Sequence, residues 1–219
     1  MGENNMMNDE IIKSYYRYTL DLDDQEQVTV LLEILKEAKL SEIIGLLAQD
    51  FEAFNLEVFD IPQFSSLDDC FNASYVIEQS GIEKVGYIKL GYLLAPMSAK
   101  KPGANQKYGE NHGKMGVMLG LLKMNPKEDL PLKQGHKISF SPTFFGRSYN
   151  SLDDETKDKL IPKIILRSKL MQNFFLRGRQ ETLLEADMKQ LLSESTFRRR
   201  YSNVKRILEV INTALDNEL

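Results

Sequence analysis

Ser195-Thr196-Phe197-Arg198-Arg199-Arg200-Tyr201-Ser202-Asn203-Val204-Lys205-Arg206-Ile207-Leu208 is the stretch whose reading decides the fold. At helical spacing Phe197, Tyr201, Val204, Leu208, Ile211 and Leu215 recur every three or four residues and make one apolar stripe. Arg199, Ser202, Asn203 and Arg206 fall on the opposite side, with Arg198 and Lys205 on its flank. Guanidinium forks and short polar groups suit phosphates and base edges in a major groove. Ser195 is the expected cap, and a second amphipathic segment, Thr182 to Leu192, precedes it across a break at Ser193 and Glu194. Two helices, a short turn and a basic outer face on the second predict a helix-turn-helix.

Working outward, 219 residues make one large domain or two small ones, and 42% hydrophobic residues suffice for a core. No apolar run approaches the length of a membrane span, and Met1 to Glu10 is polar and acidic, unlike a secretory signal. One cysteine, Cys70, leaves no internal disulfide and fits a reducing, cytoplasmic setting. With Cys70, His112 and His136 as the only soft or imidazole ligands, no structural zinc, other metal or cofactor is expected.

The net charge of −4 conceals a segregation. Residues 1–80 hold 4 Lys+Arg against 17 Asp+Glu, whereas the remainder hold 24 against 15. Residues 161–206 alone carry 11 basic and 4 acidic side chains. A basic end on an acidic protein points to an anionic partner met by one face. The competing expectation is internal neutralisation, with Arg198 to Arg200 pairing with Glu194 and the acidic N-terminal region.

Along the chain, Asn8 to Leu20 reads as a short helix, and Gln25 to Leu47 as two amphipathic helices broken near Lys39-Leu40-Ser41. Leu56 to Ile61 alternates and predicts a short strand or extended entry. Ser65 and Ser66 before Asp68 and Asp69 signal a helix through Ile77. Lys84 to Ala95 reads as a helix weakened by Gly86 and Gly91, then Pro96 to Gly103 as a basic loop. Asn105 to Leu122 is a helix with glycines at 109, 113, 116 and 120, each costing about 1 kcal/mol unless another backbone packs closely there. Leu132 to Phe145, with a Gln134-Gly135 turn, reads as a hairpin.

This arrangement resembles a family of tandem winged-helix modules found in or beside type II restriction endonucleases and other bacterial defence proteins. The first motif appears as Gln106, Tyr108, Leu119, Gly120 and Leu121, and the second as Ser195, Thr196, Arg199, Arg200, Asn203 and Val204. Thr143 to Arg147 resembles a wing end and Arg167 to Phe175 a scaffold helix, so the likeness spans about residues 61–214. It departs where Lys107-Tyr108 stands for a tyrosine pair and Ile207 for a tryptophan. The resemblance implies a mainly α fold, with an acidic helical extension at 1–60 and winged-helix-like modules (helix-turn-helix plus small β-wing) at 61–149 and 150–219. It places Ser195, Thr196 and Arg199 toward base edges and Arg198, Arg200, Lys205 and Arg206 on phosphates, with Ser202 and Asn203 on the same polar face. Lys107, Asn111 and Lys114 are the corresponding polar positions of the first module.

Catalysis has little support. Glu155-Thr156-Lys157 and Asp187-Met188-Lys189 are Glu-x-Lys and Asp-x-Lys strings, close to the Glu-x-Lys of a restriction nuclease, but the upstream strand-borne Asp is missing. His112 beside Glu110 and Asn111 has no nucleophile at a telling spacing, and residues 98–103 lack phosphate-loop spacing. The expectation is a non-catalytic, double-stranded-DNA-binding component of a restriction or defence system, with a nuclease or other defence subunit as a possible partner. The alternatives are an adaptor that binds a partner subunit through its winged helices, and a nuclease with an unrecognised centre.

Overall fold

The computed structural model describes residues 2–95, 102–126 and 138–218. In chain order they form α1 (Gly2–Tyr16), α2 (Gln25–Glu37), α3 (Leu40–Ala48), a 3-10 turn (Val58–Asp60), α4 (Leu67–Gln79), β1 (Val85–Gly86), α5 (Tyr87–Leu94) and α6 (Pro102–Met118). There follow β2 (Leu122–Pro126), β3 (Ile138–Pro142), α7 (Phe144–Asn150), α8 (Asp154–Leu166), α9 (Lys169–Leu176), α10 (Glu181–Leu191) and α11 (Glu194–Asp216). The protein is mainly helical, with a three-stranded antiparallel sheet in the order β1-β3-β2.

The chain divides into two compact units: Met1–Pro62 with Asp153–Leu219, and Gln63–Leu152. The middle segment lies close to the expected 61–149. The acidic N-terminal part, however, is no separate extension; it shares one body with the C-terminal helices. Hydrogen bonds between residues some 150 positions apart make it so. The Tyr16 hydroxyl donates to the Lys163 carbonyl at 2.8 Å, and Lys163 Nζ donates to the Leu35 carbonyl at 2.5 Å. Arg167 Nε donates to the Tyr15 carbonyl at 3.2 Å, while its guanidinium lies 4.1 Å from the Tyr18 ring centroid. Gln172 Nε2 reaches the Tyr16 carbonyl at 2.9 Å, and Asn173 brackets Phe54 through both its backbone N–H and its carbonyl.

Local signals account for the helices of this unit. Asp24 caps α2 by accepting from Gln27 N, and Val28, Leu31, Leu32 and Leu35 are its buried stripe. Leu40, Ile43 and Leu47 play that part in α3. Helix α1 starts at Gly2, six residues before the expected Asn8. The strand expected at Leu56 to Ile61 is instead the 3-10 turn. There the Asp60 carboxylate accepts from Glu57 N at 2.9 Å and pairs with Lys169 at 3.2 Å, satisfying the tight turn locally.

The second unit is built around α6. A methyl group on Gly109 would overlap the Tyr87 carbonyl oxygen, and one on Gly91 the Asn105 carbonyl oxygen, so α5 and α6 pack backbone to backbone. Gly113 lies under the Phe140 ring, and Gly116 leaves only 2.9 Å to Leu122 Cδ1. The glycines that weaken α6 as an isolated helix thus permit the contact that stabilises it. Gly120, at φ +82°, ends the helix. Its N–H donates to Val117 O, and Leu121 N donates to Gly116 O, a Schellman closure. Ser66 caps α4 through Asp69 N, and Cys70 is buried on that helix.

The chain then turns into β2 at Leu122, which the sequence reading kept helical. β2 pairs with β3 in the register Met124↔Phe140. Strand β3 lies within the expected hairpin segment, while Gln134 and Gly135 lie outside the described residues. Residues Phe144 and Phe145 belong to α7, capped by Thr143 through Gly146 N at 2.9 Å. Lys84 to Ala95 is helical only from Tyr87, with β1 before it. Among the described residues from 150 onward there is no strand, so the C-terminal segment carries no β-wing.

Two predictions follow from these contacts. Gly109→Ala lowers stability by about 1–3 kcal/mol through overpacking, whereas Gly45→Ala, in mid-α3 with open space around it, raises it by about 0.5–1 kcal/mol. Urea melts followed by circular dichroism separate the two signs. The Glu218 carboxylate accepts from Leu40 N at 2.5 Å and Ser41 N at 2.9 Å. Partial burial opposes its ionisation, but those donors and nearby Lys163 outweigh it and hold its pKa below the ordinary glutamate value. A depressed pKa stabilises the fold above the unfolded-state value and ceases to do so as pH falls through the folded one. Glu218→Gln is therefore expected to lower the melting temperature at pH 7, with the gap closing as the pH is taken below about 4.

Candidate nucleic-acid interface

Helix α11 follows α10 across only Leu192 and Ser193, one residue before the break expected at Ser193 and Glu194. Its N-cap is Ser193 rather than Ser195, and the Ser193 hydroxyl donates to Thr196 Oγ1 at 3.0 Å. Of the apolar stripe Phe197, Val204, Leu208, Ile211 and Leu215 are buried, together with Ile207, while Tyr201 is half-buried. Ile207 joins it, which widens the buried face by one residue. Leu184 and Met188 supply the facing core of α10.

Burial of that stripe leaves Ser195, Arg198, Arg199, Ser202, Lys205 and Arg206 exposed together. Over three turns they occupy one strip, Arg198 above Lys205 and Arg199 above Arg206, each pair about 10 Å apart along the axis. Glu194 and Glu209 share the strip. Arg198 Nε donates to Glu194 at 2.8 Å, with both side chains largely in solvent, a pairing of small energetic weight.

Three residues expected on this surface are placed otherwise. Asn203 is buried at 8% exposure. Arg200 turns inward and donates from one Nη atom to the carbonyls of Val58, at 2.8 Å, and Ile61, at 3.0 Å. Burial, with Arg199 alongside, holds its pKa below the usual guanidinium value. Both lie more than 100° round the helix from Arg198, where the edge of the polar face meets packed chain. Thr196 is half-buried and engaged by Ser193.

Sequence reasoning missed the contribution of α10. Lys189 lies 2.7 Å from Glu185 and 4.9 Å from the Phe197 ring centroid, and Lys205 sits 5.0 Å from that of Tyr201. The hydrogen bond from Lys189 leads the interactions that hold Glu185 below the ordinary glutamate value, with Tyr201 and Lys205 adding to it. The Glu185–Lys189 spacing of four was the available signal.

In the first module's set, Lys107 is exposed, whereas Asn111 is half-buried and Lys114 is paired with Glu110 at 2.5 Å. Tyr108 donates its hydroxyl to Asp69. His112 is buried at 1% exposure, its Nδ1 2.7 Å from the Tyr108 carbonyl and its Nε2 accepting from Ser66 N at 3.3 Å. That is the geometry of a neutral, structural imidazole fastening α6 to the cap of α4. The carboxylates of the nuclease-like strings lie in ion pairs, an exposed one between Glu155 and Lys159 at 2.7 Å and a half-buried one between Asp187 and Arg177 at 2.9 Å. No helix among the described residues is long and apolar enough to cross a membrane. Comparison with protein-family models, with curated proteins and with solved structures finds no match to this chain.

Arg200 gives a test of the placement. Arg200→Ala removes the guanidinium donor from the Ile61 carbonyl and leaves the Val58 carbonyl only the 3.4 Å bond from Ile61 N, and is expected to cost about 1–2 kcal/mol in a denaturant melt. Any loss of nucleic-acid affinity is expected to be far smaller than from Arg199→Ala.

Proposed function

We propose that this protein binds duplex DNA through the exposed strip of α11 and acts without catalysis of its own, as a specificity or regulatory component of a bacterial restriction or defence system. The observation that carries the reading is the alignment of Arg198, Arg199, Lys205 and Arg206 with Ser195 and Ser202 on one solvent face of a helix fixed by its buried stripe. Side chains long enough to reach phosphates flank two short hydroxyls suited to close approach. The two-residue link from α10 supports a helix-turn-helix use of the pair. In the other unit, a helix, a short strand, two helices and an antiparallel strand pair, with the first strand at the far edge, follow the order of a winged helix. The α6 face bearing Lys107, Asn111 and Lys114 is then a secondary contact, weakened by the Lys114–Glu110 pair. The restriction and defence setting rests on the motif resemblance alone.

Glu194 and Glu209 on the α11 strip favour the adaptor reading, in which a protein partner meets a mixed-charge surface. Salt separates the two. Arg199→Ala with Arg206→Ala is expected to reduce duplex affinity by about tenfold or more and to lower the slope of log affinity against log salt by about 2. Lys36→Ala with Lys39→Ala, on the acidic side of the same unit, leaves both nearly unchanged. Equal losses from both pairs in a gel-shift titration contradict the assignment of α11.

A further inference from the structure

We propose that a second copy of this chain docks its α11 basic strip into an acidic groove on α2 and the start of α3, forming open head-to-tail chains that duplex DNA dismantles. The final clause rests on the DNA reading above; the docking does not. The groove has a volume of 580 Å³. Val30, Ile34 and Ala38 line it together with Glu33, Glu37 and Glu42. All three glutamates are exposed: Glu33 shares Lys36 at 2.7 Å in a solvent-side pair of small energetic weight, Glu42 accepts from Lys39 N at 2.9 Å, and Glu37 stands one turn from Glu33 on α2. A floor of small apolar groups beneath carboxylates suits long cationic side chains, whose methylene stems cover the floor while their heads reach the acids.

The chain itself carries the complementary surface, the two-turn repeat of Arg198, Arg199, Lys205 and Arg206. Within one molecule the two surfaces cannot meet. Glu218 is hydrogen-bonded to Leu40 N and Ser41 N, so the C-terminal end of α11 lies beside the link that carries Ala38 and the first turn of α3 that carries Glu42. Arg199 stands about 26 Å away along the same rigid helix. Donor and acceptor therefore occupy opposite ends of one unit. Pairing between copies is heterologous, leaving one surface of each kind open at every step, which yields chains rather than closed dimers. The groove's carboxylates offer the basic strip the same charge that phosphates do, so a copy seated in a neighbour's groove cannot hold DNA with that strip.

Sedimentation velocity on the full chain tests this, with circular dichroism confirming that each variant is folded. At low salt the wild-type sedimentation coefficient is expected to rise with concentration, and to collapse to the monomer value at about 0.3 M salt. Glu33→Lys with Glu37→Lys, and separately Arg199→Glu with Arg206→Glu, are each expected to sediment as monomers. Mixed one to one, the two variants regain association, because each reversed surface meets its opposite. A monomeric wild type at low salt, association indifferent to either reversal, or no recovery on mixing each overturns the proposal. Adding duplex DNA to the wild type is expected to return it to single-copy complexes. Complementation in a protein that binds no duplex supports the docking and refutes the DNA reading.

Discussion

Arg167, buried at 5% exposure, is the constraint on which the larger unit depends. Burying a guanidinium is costly unless its charge and donors are met. Here the Tyr15 carbonyl accepts from Nε, and the Tyr15 and Tyr18 rings lie against the charge at 5.2 and 4.1 Å. Tyr18 adopts φ +63°, uncommon for a bulky residue, and its hydroxyl donates back to the Arg167 carbonyl. Backbone strain, ring and cation thus fasten the end of α1 to the end of α8. Burial pushes the Tyr18 hydroxyl up to about 12, so it stays a proton donor across the physiological range.

Closing the unit in this way determines what α11 can show. The N-terminal segment supplies the carbonyls that take Arg200 and the helix N-terminus that takes Glu218, so α11 is tied near both ends to backbone groups of a segment distant along the chain. Its rotation is then fixed, and four basic side chains are left on one strip. The segregated charge of the sequence becomes polarity within one body, with carboxylates around α2 and α3 at one end of α11 and guanidinium groups toward the other. Such a body carries an exposed basic strip while its net charge stays negative.

Elements whose signals are local were legible in the sequence. Ser66 before α4, Asp24 before α2 and the stripe from Phe197 to Leu215 specify their helices through caps and periodicity that need no distant partner. The glycines of α6 were legible as a question, whose answer was α5 passing against Gly109 and the Phe140 ring lying over Gly113. What escaped is long-range. Nothing near Tyr15 or Arg167 announces that they meet, so the N-terminal helices read as an extension. Alternation at Leu56 to Ile61 suggested a strand, yet Asp60 had a partner in Lys169. On the candidate surface, periodicity set the outward direction of Ser195, Arg198, Arg199, Ser202, Lys205 and Arg206. It could not show that Arg200 and Asn203, at the margin of the polar arc, face packed chain.

The central claim is that the outward strip of α11 receives duplex DNA. Titrating isotope-labelled protein with a duplex, at a salt concentration where binding is reversible, and following backbone amide shifts tests it most directly. The account predicts perturbations concentrated from Ser195 to Arg206 and their neighbours on α10, with the α2 and α3 amides nearly still. Shifts confined to other surfaces, or none at saturating duplex, contradict it.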